Sequence, residues 1–426
     1  MLTALEFEKE NRGLFNEIEQ ALEKPDDATL NELIQVLNDA AGLAVANCSG
    51  MHLPSLDRIL LKIAGIMKGQ ERSYNSFAGK SIILVSELYL EGGHSRIVED
   101  IVSSIPDDVL IIISDYKNNY LNGRLKLGEM YDRFRMASVV TIPMGSNVSK
   151  IHSLKNLINS VSPQKLYLLL HHTDAIGYVA ASAHNVSGLK RFFIHHTDHK
   201  PSLGTTLSYE KHLDTTSEYC LNCEASGIQN CSVLPLYVKD QDARAGTSFK
   251  GRMNFASVGS TGKFTFEGAL DHADRIVKCL QFDHVDNFYH IGQLQQNSID
   301  KINLGLLENG IKSERFKYIM WVPSVWKTLV ELDVHVLIAS APLGGGRTAI
   351  EAQGAGIPVL FYEDVFSKSI YGAPELFWTD HSNLYSAIVK VSENYSEYSQ
   401  KAREYYEKYY SEEPFKKSLG FETDAR

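Results

Sequence analysis

One tetrad, His-His-Thr-Asp, occurs twice in the chain, at His171–Asp174 and at His195–Asp198. Each copy directly follows an apolar run, LYLLL (166–170) and RFFI (191–194). In an open parallel sheet the loops beyond the carboxyl ends of the strands line the binding crevice, so both tetrads are expected there. The second continues as His195-His-Thr-Asp-His-Lys-Pro-Ser-Leu-Gly204, which gathers three imidazoles and a carboxylate before a turn. A histidine or aspartate so placed can take a proton from an attacking group, and a His–Asp pair would fix the imidazole tautomer. The candidates for such catalysis are His172, His196, Asp198 and His199. The competing reading is that these histidines cap strand ends and satisfy buried polar groups. Metal ligation is poorly served, because adjacent histidines on extended backbone point to opposite sides.

A second set of residues suits an anion. The segment PLGGGRTAIEAQGAGIPVL (342–360) lies between the apolar runs VHVLIA (334–339) and IPVLF (357–361). Gly344, Gly345 and Gly346 let backbone N–H groups approach a ligand closely, since no side chain stands in the way. Arg347 and Thr348 then open a helix whose amides and dipole favour a diphosphate, and Glu351, one turn in, can accept from a ribose diol. Ala256-Ser-Val-Gly259-Ser-Thr-Gly262-Lys263 offers glycines, hydroxyls and a lysine as a point charge for a phosphate. It is not a P-loop, because the required spacing is absent. Glu91-Gly-Gly-His-Ser-Arg96 follows another apolar run. There Gly92 and Gly93 would let amides approach phosphates or a sugar, with His94 and Arg96 adding charge or a donor. A tight structural turn or an exposed lysine is the plain alternative for each piece.

The elements that must hold these residues follow from periodicity. The first 75 residues read as helical and separate, with stripes at Leu30, Leu33, Ile34, Leu37 and at Leu56, Ile59, Leu60, Ile63. Thr29 and Glu32 form a capping-box pattern. From Lys80, short apolar runs at 81–86, 109–114, 138–142, 166–170 and 191–194 alternate with helical stretches, as in a doubly wound domain over 76–240. The polar stretch 239–252 reads as a linker. Further runs at 253–258, 287–291, 318–321, 334–339 and 357–361 make a second such domain over 250–395. Tyrosines at near-helical spacing mark a closing helix in 396–426.

Composition narrows the classes. The 426 residues are 44% hydrophobic and 22% charged, with a formal net charge of −10. With no block of five like charges, a nucleic-acid groove is not expected. No apolar stretch reaches membrane-span length, and the acidic N-terminus is no secretory signal. The cysteines are Cys48, Cys220, Cys223, Cys231 and Cys279, a sparse odd set that suggests a reducing compartment. Cys220, Cys223 and Cys231 cluster, and a zinc site would need a fourth ligand such as His212. Buried free thiols are the favoured reading.

The run Glu351-Ala-x-x-x-Gly356-x-Pro358-Val359 resembles the donor-site segment of GT-B glycosyltransferases. Within that fold the chain is most similar to the O-GlcNAc transferase-like group and the related bacterial adhesin N-glycosyltransferases. The residues that carry this likeness are Asn254 to Lys263, Leu332 to Leu360, and His196-Thr-Asp-His199 with Leu203-Gly204. The resemblance implies an α/β, GT-B architecture: two Rossmann-like domains facing across a cleft, an N-terminal helical extension, and a terminal helix crossing back to the first domain. It implies that Lys263 contacts the nucleotide diphosphate, that Gly344–Thr348 holds the phosphates, and that His196, Asp198 and His199 lie near the sugar and acceptor.

The expected activity is transfer of a hexose or N-acetylhexosamine from a UDP-sugar to an acceptor hydroxyl, inverting and metal-independent, with no cofactor. The acceptor would be a glycan, glycolipid or protein. The setting implied is bacterial surface glycan or glycoprotein assembly, cytoplasmic and at the inner face of the membrane. There are departures from the family. Gly346-Arg347-Thr348 replaces a His-Thr-Thr run, and no tetratricopeptide repeats precede the catalytic body. Retaining GT-B enzymes often carry two glutamates eight positions apart, and with Glu351 as the second the first falls on Leu343, which argues for inversion. A UDP-sugar 2-epimerase, a retaining transferase and a non-catalytic partner protein stand as alternatives.

Overall fold

The computed structural model describes residues 2–69, 73–89, 93–120, 122–126, 128, 133–196, 200–243, 251–342, 344, 346–364, 368, 370 and 372–421. The chain forms two compact units, Met1–Leu234 with Lys416–Arg426, and Pro235–Phe415.

In the first unit, strands β1 (Phe77–Val85), β2 (Asp108–Ile113), β3 (Ser138–Thr141), β4 (Pro163–Leu169), β5 (Lys190–His195), β6 (Lys211–Asp214) and β7 (Cys231–Val233) form one parallel sheet. Its order is β7-β6-β5-β4-β1-β2-β3. The apolar runs become strands because both faces are covered: Ile82 to Val85 and Ile111 to Ile113 are fully buried. β6 and β7 were not anticipated, both being short and β6 carrying three polar side chains in four.

The N-terminal stretch does not stand apart. Helices α1 (Asp27–Asn47) and α2 (Pro54–Met67) bury both predicted stripes in the same apolar core as Ile82 and Leu84 of β1 and Leu166 and Leu168 of β4. Helix α1 starts earlier than the Thr29–Glu32 pattern suggests. Asp26 is its cap, its carboxylate accepting from the Thr29 amide at 2.8 Å. Helices α3 (Gly93–Ser104), α4 (Ala175–Ser182) and α5 (Ser217–Ala225) follow β1, β4 and β6.

The second unit repeats the plan. β8 (Met253–Val258), β9 (Val285–Ile291), β10 (Phe316–Ile319), β11 (Val334–Ile338), β12 (Val359–Tyr362) and β13 (Phe377–Trp378) pair in parallel in the order β10-β9-β8-β11-β12-β13. Helix α6 (Gly346–Gly354) links β11 to β12. Two glycines of the predicted segment are needed for this packing. A Cβ at Gly354 would lie 2.1 Å from the Trp326 ring, and Gly356 turns the chain with φ +74°. Helix α7 (Tyr395–Tyr409) buries Tyr395, Tyr398 and Tyr406 within this unit rather than the first. The chain rejoins the first unit from Lys416, where Phe421 lies under Lys165 with 3.2 Å from Nζ to the ring centroid. No helix among the described residues is long and apolar enough to cross a membrane.

Candidate functional site

In the second unit the strand order reverses between β8 and β11, the place where open α/β sheets bind ligands beyond their carboxyl ends. The turn after β8 is built on glycine. Gly259 has φ +153°, and its amide donates to Ile291 O at 2.9 Å. Thr261–Lys263 forms a single 3-10 turn. Phe264 anchors it by stacking on His272 at 4.1 Å between centroids, above a buried group in which Ser257 Oγ meets His290 Nδ1 at 2.9 Å. Phe264 also pairs with Pro342 in an antiparallel bridge. That bridge puts the lysine turn beside the first residue of the glycine-rich segment.

Lys263 is half-buried at this junction. Burial alone holds its ammonium below the usual lysine range. Among the described residues no carboxylate pairs with it. Partial loss of water from an ammonium favours an anionic neighbour.

Gly344 and Gly346 flank the start of α6, and Gly345 lies outside the described residues. Arg347, Thr348 and Glu351 are half-buried on the first turns, with Arg347 Nε 3.8 Å from Glu351 Oε1. The amides of the first turn have no intrahelical acceptors and carry the positive end of the dipole. Further along the sheet, Glu363, Lys368, Ile370, Gly372, Pro374 and Phe377 line a cavity of about 370 Å³.

The first unit gathers its chemistry at its own reversal, between β1 and β4. His94, at the start of α3, sets its Nε2 3.1 Å from Leu169 O, and its ring stands 4.7 Å from His196 and 5.7 Å from His171. Tyr89 OH meets His171 Nε2 at 3.0 Å and also donates to Glu87. Burial, with His171 close by, holds His94 at about 4; burial, with His172 and Lys117, does the same for His171. Burial also pushes His196 well below its usual value. All three imidazoles are therefore neutral at pH 7. Of the charge or donor expected of it, His94 as a neutral imidazole keeps the donor, and Arg96 is in an ion pair with Glu99 at 2.7 Å.

Neither tetrad points one way: the chain turns at His172–Thr173, with the Asp174 amide donating to His171 O at 3.0 Å, and His195 and His196 diverge at the end of β5. In the first, His171 joins the ring cluster while Asp174 turns inward, fully buried. Asp174 caps α4 through the Gly177 amide at 2.8 Å and accepts from Ser86 at 2.7 Å and Ser114 at 2.5 Å. His172 is half-buried at the edge of that cluster, its ring centroid 6.1 Å from that of His171 and its carbonyl accepting from the Leu203 amide at 3.0 Å. In the second, His196 enters the cluster and His195 turns the other way, toward Asp214. Asp198 and His199 lie outside the described residues, as does Gly92. Gly93 opens α3, and a Cβ there would meet open space. Sequence reasoning passed over Glu87, Tyr89 and His171 as a group. The signal was Glu87-Leu-Tyr89 straight after the run SIILVS, where a carboxylate and a phenol end a buried strand.

No protein-family model matches the chain, and no curated protein sequence does. Solved structures match over most of its length. The lipopolysaccharide outer core galactosyltransferase WaaB superimposes with TM-score 0.55 at 15% identity over 80% of this chain and 98% of that one. Anabaena Alr3699/HepE in complex with UDP gives TM-score 0.58 at 11% identity over 80% and 98%. TarM gives 0.55 at 12% identity, again over 80% and 98%. These are GT-B glycosyltransferases. With its two parallel, doubly wound sheets, this chain has the GT-B fold.

Proposed function

We propose that the chain is a glycosyltransferase that moves a hexose or N-acetylhexosamine from a UDP-sugar to an acceptor hydroxyl, with inversion and without a divalent ion. The observation that carries this reading is Lys263: a half-buried ammonium with no described counter-ion, bridged through Phe264 and Pro342 to the glycine-rich start of α6. A diphosphate supplies the missing charge. It would take hydrogen bonds from the amides of Gly344–Gly346 and from Thr348, while Glu351 accepts from the ribose. The cavity beyond β12 has the volume a nucleobase needs. Similar folds hold this class of ligand, since the Anabaena HepE structures include complexes with UDP and with UDP-glucose.

In the transfer step the acceptor oxygen bonds to the anomeric carbon as the bond from that carbon to the UDP oxygen breaks. Lys263 and the N-terminus of α6 offset the charge that builds on the leaving diphosphate. The acceptor's proton passes to Asp198, with His196, neutral and able to accept, as the other candidate base. Leu343 at the place of the first glutamate of retaining enzymes supports a single displacement. Surface glycan or glycoprotein assembly on the cytoplasmic side of a membrane is the setting proposed, with a glycan, glycolipid or protein as acceptor.

The test is UDP release from UDP-glucose, UDP-galactose and UDP-N-acetylglucosamine, with glycan acceptors present and no divalent ion added. Turnover of one donor, lost in Lys263→Met and in Asp198→Asn, supports the assignment. Equal turnover by both variants and the parent contradicts it.

A further inference from the structure

Four side chains of the first unit that no step above uses converge on one point. His195 is the last residue of β5, and its register partner on β6 is Asp214. His212 stands two residues before Asp214 on the same strand, so both point to the same face. Cys223 reaches them from α5, the helix that follows β6. All four are buried, none more than 1% exposed. His195 Nδ1 lies 2.9 Å from Asp214 Oδ1, 3.4 Å from His212 Nε2 and 3.7 Å from Cys223 Sγ. The same Asp214 oxygen is 3.4 Å from Cys223 Sγ and 3.6 Å from His212 Nε2.

Hydrogen bonding does not account for this convergence. A ring nitrogen carries at most one proton, yet His195 Nδ1 faces three polar atoms at once. A cysteine–histidine–aspartate relay does not fit either. It would set the carboxylate on one ring nitrogen and the thiol on the other, whereas both crowd Nδ1. Complete burial also leaves no way in for a substrate.

A tetrahedral ion explains why four ligand atoms converge on one point. Bonds of about 2.0–2.1 Å to nitrogen and oxygen and about 2.3 Å to sulfur give ligand-to-ligand edges of about 3.3–3.7 Å. Of the six edges, four of the five given above fall at that length, the His195–Asp214 edge is shorter, and the His212–Cys223 edge is within 4.8 Å. The charges balance as well: one thiolate and one carboxylate neutralise a dication, and the imidazoles stay neutral, where an unbalanced charge would be costly. Two imidazoles, a carboxylate and a thiolate in a closed tetrahedron suit zinc.

We propose that His195, His212, Asp214 and Cys223 form a closed, structural zinc site that ties together β5, β6 and α5. On binding, the Cys223 thiol gives its proton to solvent as the bond from sulfur to zinc forms. The ion fixes the carboxyl end of β5, from which the His196 segment departs. Of the clustered cysteines Cys220, Cys223 and Cys231, only Cys223 offers a ligand atom here. The site is no part of the proposed donor machinery, and its test does not depend on nucleotide binding.

The test is elemental analysis of the full chain purified without chelators, followed by exchange of the ion for cobalt(II). The expected result is about one zinc per chain and a tetrahedral cobalt spectrum with a thiolate-to-cobalt charge-transfer band. Cys223→Ser should abolish that band, while Cys220→Ser and Cys231→Ser keep both it and the ion. Chelation should lower the thermal midpoint by several degrees. A folded parent chain with under about a tenth of an equivalent of zinc and no charge-transfer band on cobalt addition would overturn the proposal. So would full zinc content in a His212→Gln, Cys223→Ser double variant. The parent chain decides the question even where a variant fails to fold.

Discussion

Gly292 and Gly259 meet backbone to backbone: a Cβ added to Gly292 would lie 2.3 Å from the Gly259 carbonyl oxygen. Gly292 has φ +131° and its amide donates to Ile319 O at 2.9 Å, so three neighbouring strand ends are locked through two residues without side chains. The turn that presents Lys263 rests on this contact. Gly292→Ala should displace the turn and weaken UDP binding at least about tenfold, measured by calorimetry. Gly262→Ala, in the same turn but with nothing within 4 Å of the added Cβ, should leave affinity within about twofold. Equal affinities for both variants would contradict this account of the turn.

Asp174 makes a different prediction, because it is a structural member of its tetrad. Asn at this position puts an amide group against the donors Ser86, Ser114 and the Gly177 N–H, all within 2.8 Å of the carboxylate. Asp174→Asn should cost about 2–4 kcal/mol in a denaturant titration. His172→Gln, half-buried, should cost under about 1 kcal/mol. A stable Asp174→Asn chain would contradict this structural role.

Acid should weaken the fold in a defined window. His94, His171 and His290 are each held at about 4 by burial, against 6.5 for an exposed histidine. The unfolded chain therefore takes up protons first as pH falls. The stability these residues contribute is complete above about 6.5 and is lost as pH drops toward 4. His171 faces Glu87, Tyr89, His172 and Lys117, and His94 faces His196, so the loss belongs to the cluster. The thermal midpoint should fall by several degrees across this window, and a His94→Asn, His171→Asn variant should show a shallower slope. An unchanged slope in that variant would contradict the neutral assignment.

Much of the fold was legible because parallel strands covered on both faces read as continuous apolar runs. Ile82–Val85, Ile111–Ile113 and Val334–Ile338 are such runs, and each is a buried strand. β6 was missed because its four residues, Lys-His-Leu-Asp, carry three polar side chains whose burial depends on partners far along the chain. The same gap hid Asp214, which meets His195 and Cys223 only through strand register and helix packing. The turn at Lys263 and the helix start at Arg347–Glu351 were legible, since glycine turns and helix starts are local features. The inward turn of Asp174 and the neutrality of His94 were not, because both follow from three-dimensional burial.

Calorimetric titration with UDP, without added divalent ions, tests most directly whether Lys263 holds a nucleoside diphosphate. The parent chain should bind UDP in the micromolar range. Lys263→Met should bind at least about tenfold more weakly while its thermal midpoint holds or rises, because a half-buried ammonium is removed. Undiminished UDP affinity in Lys263→Met, or a parent chain that binds none of UDP, GDP, CDP and dTDP, would contradict the account.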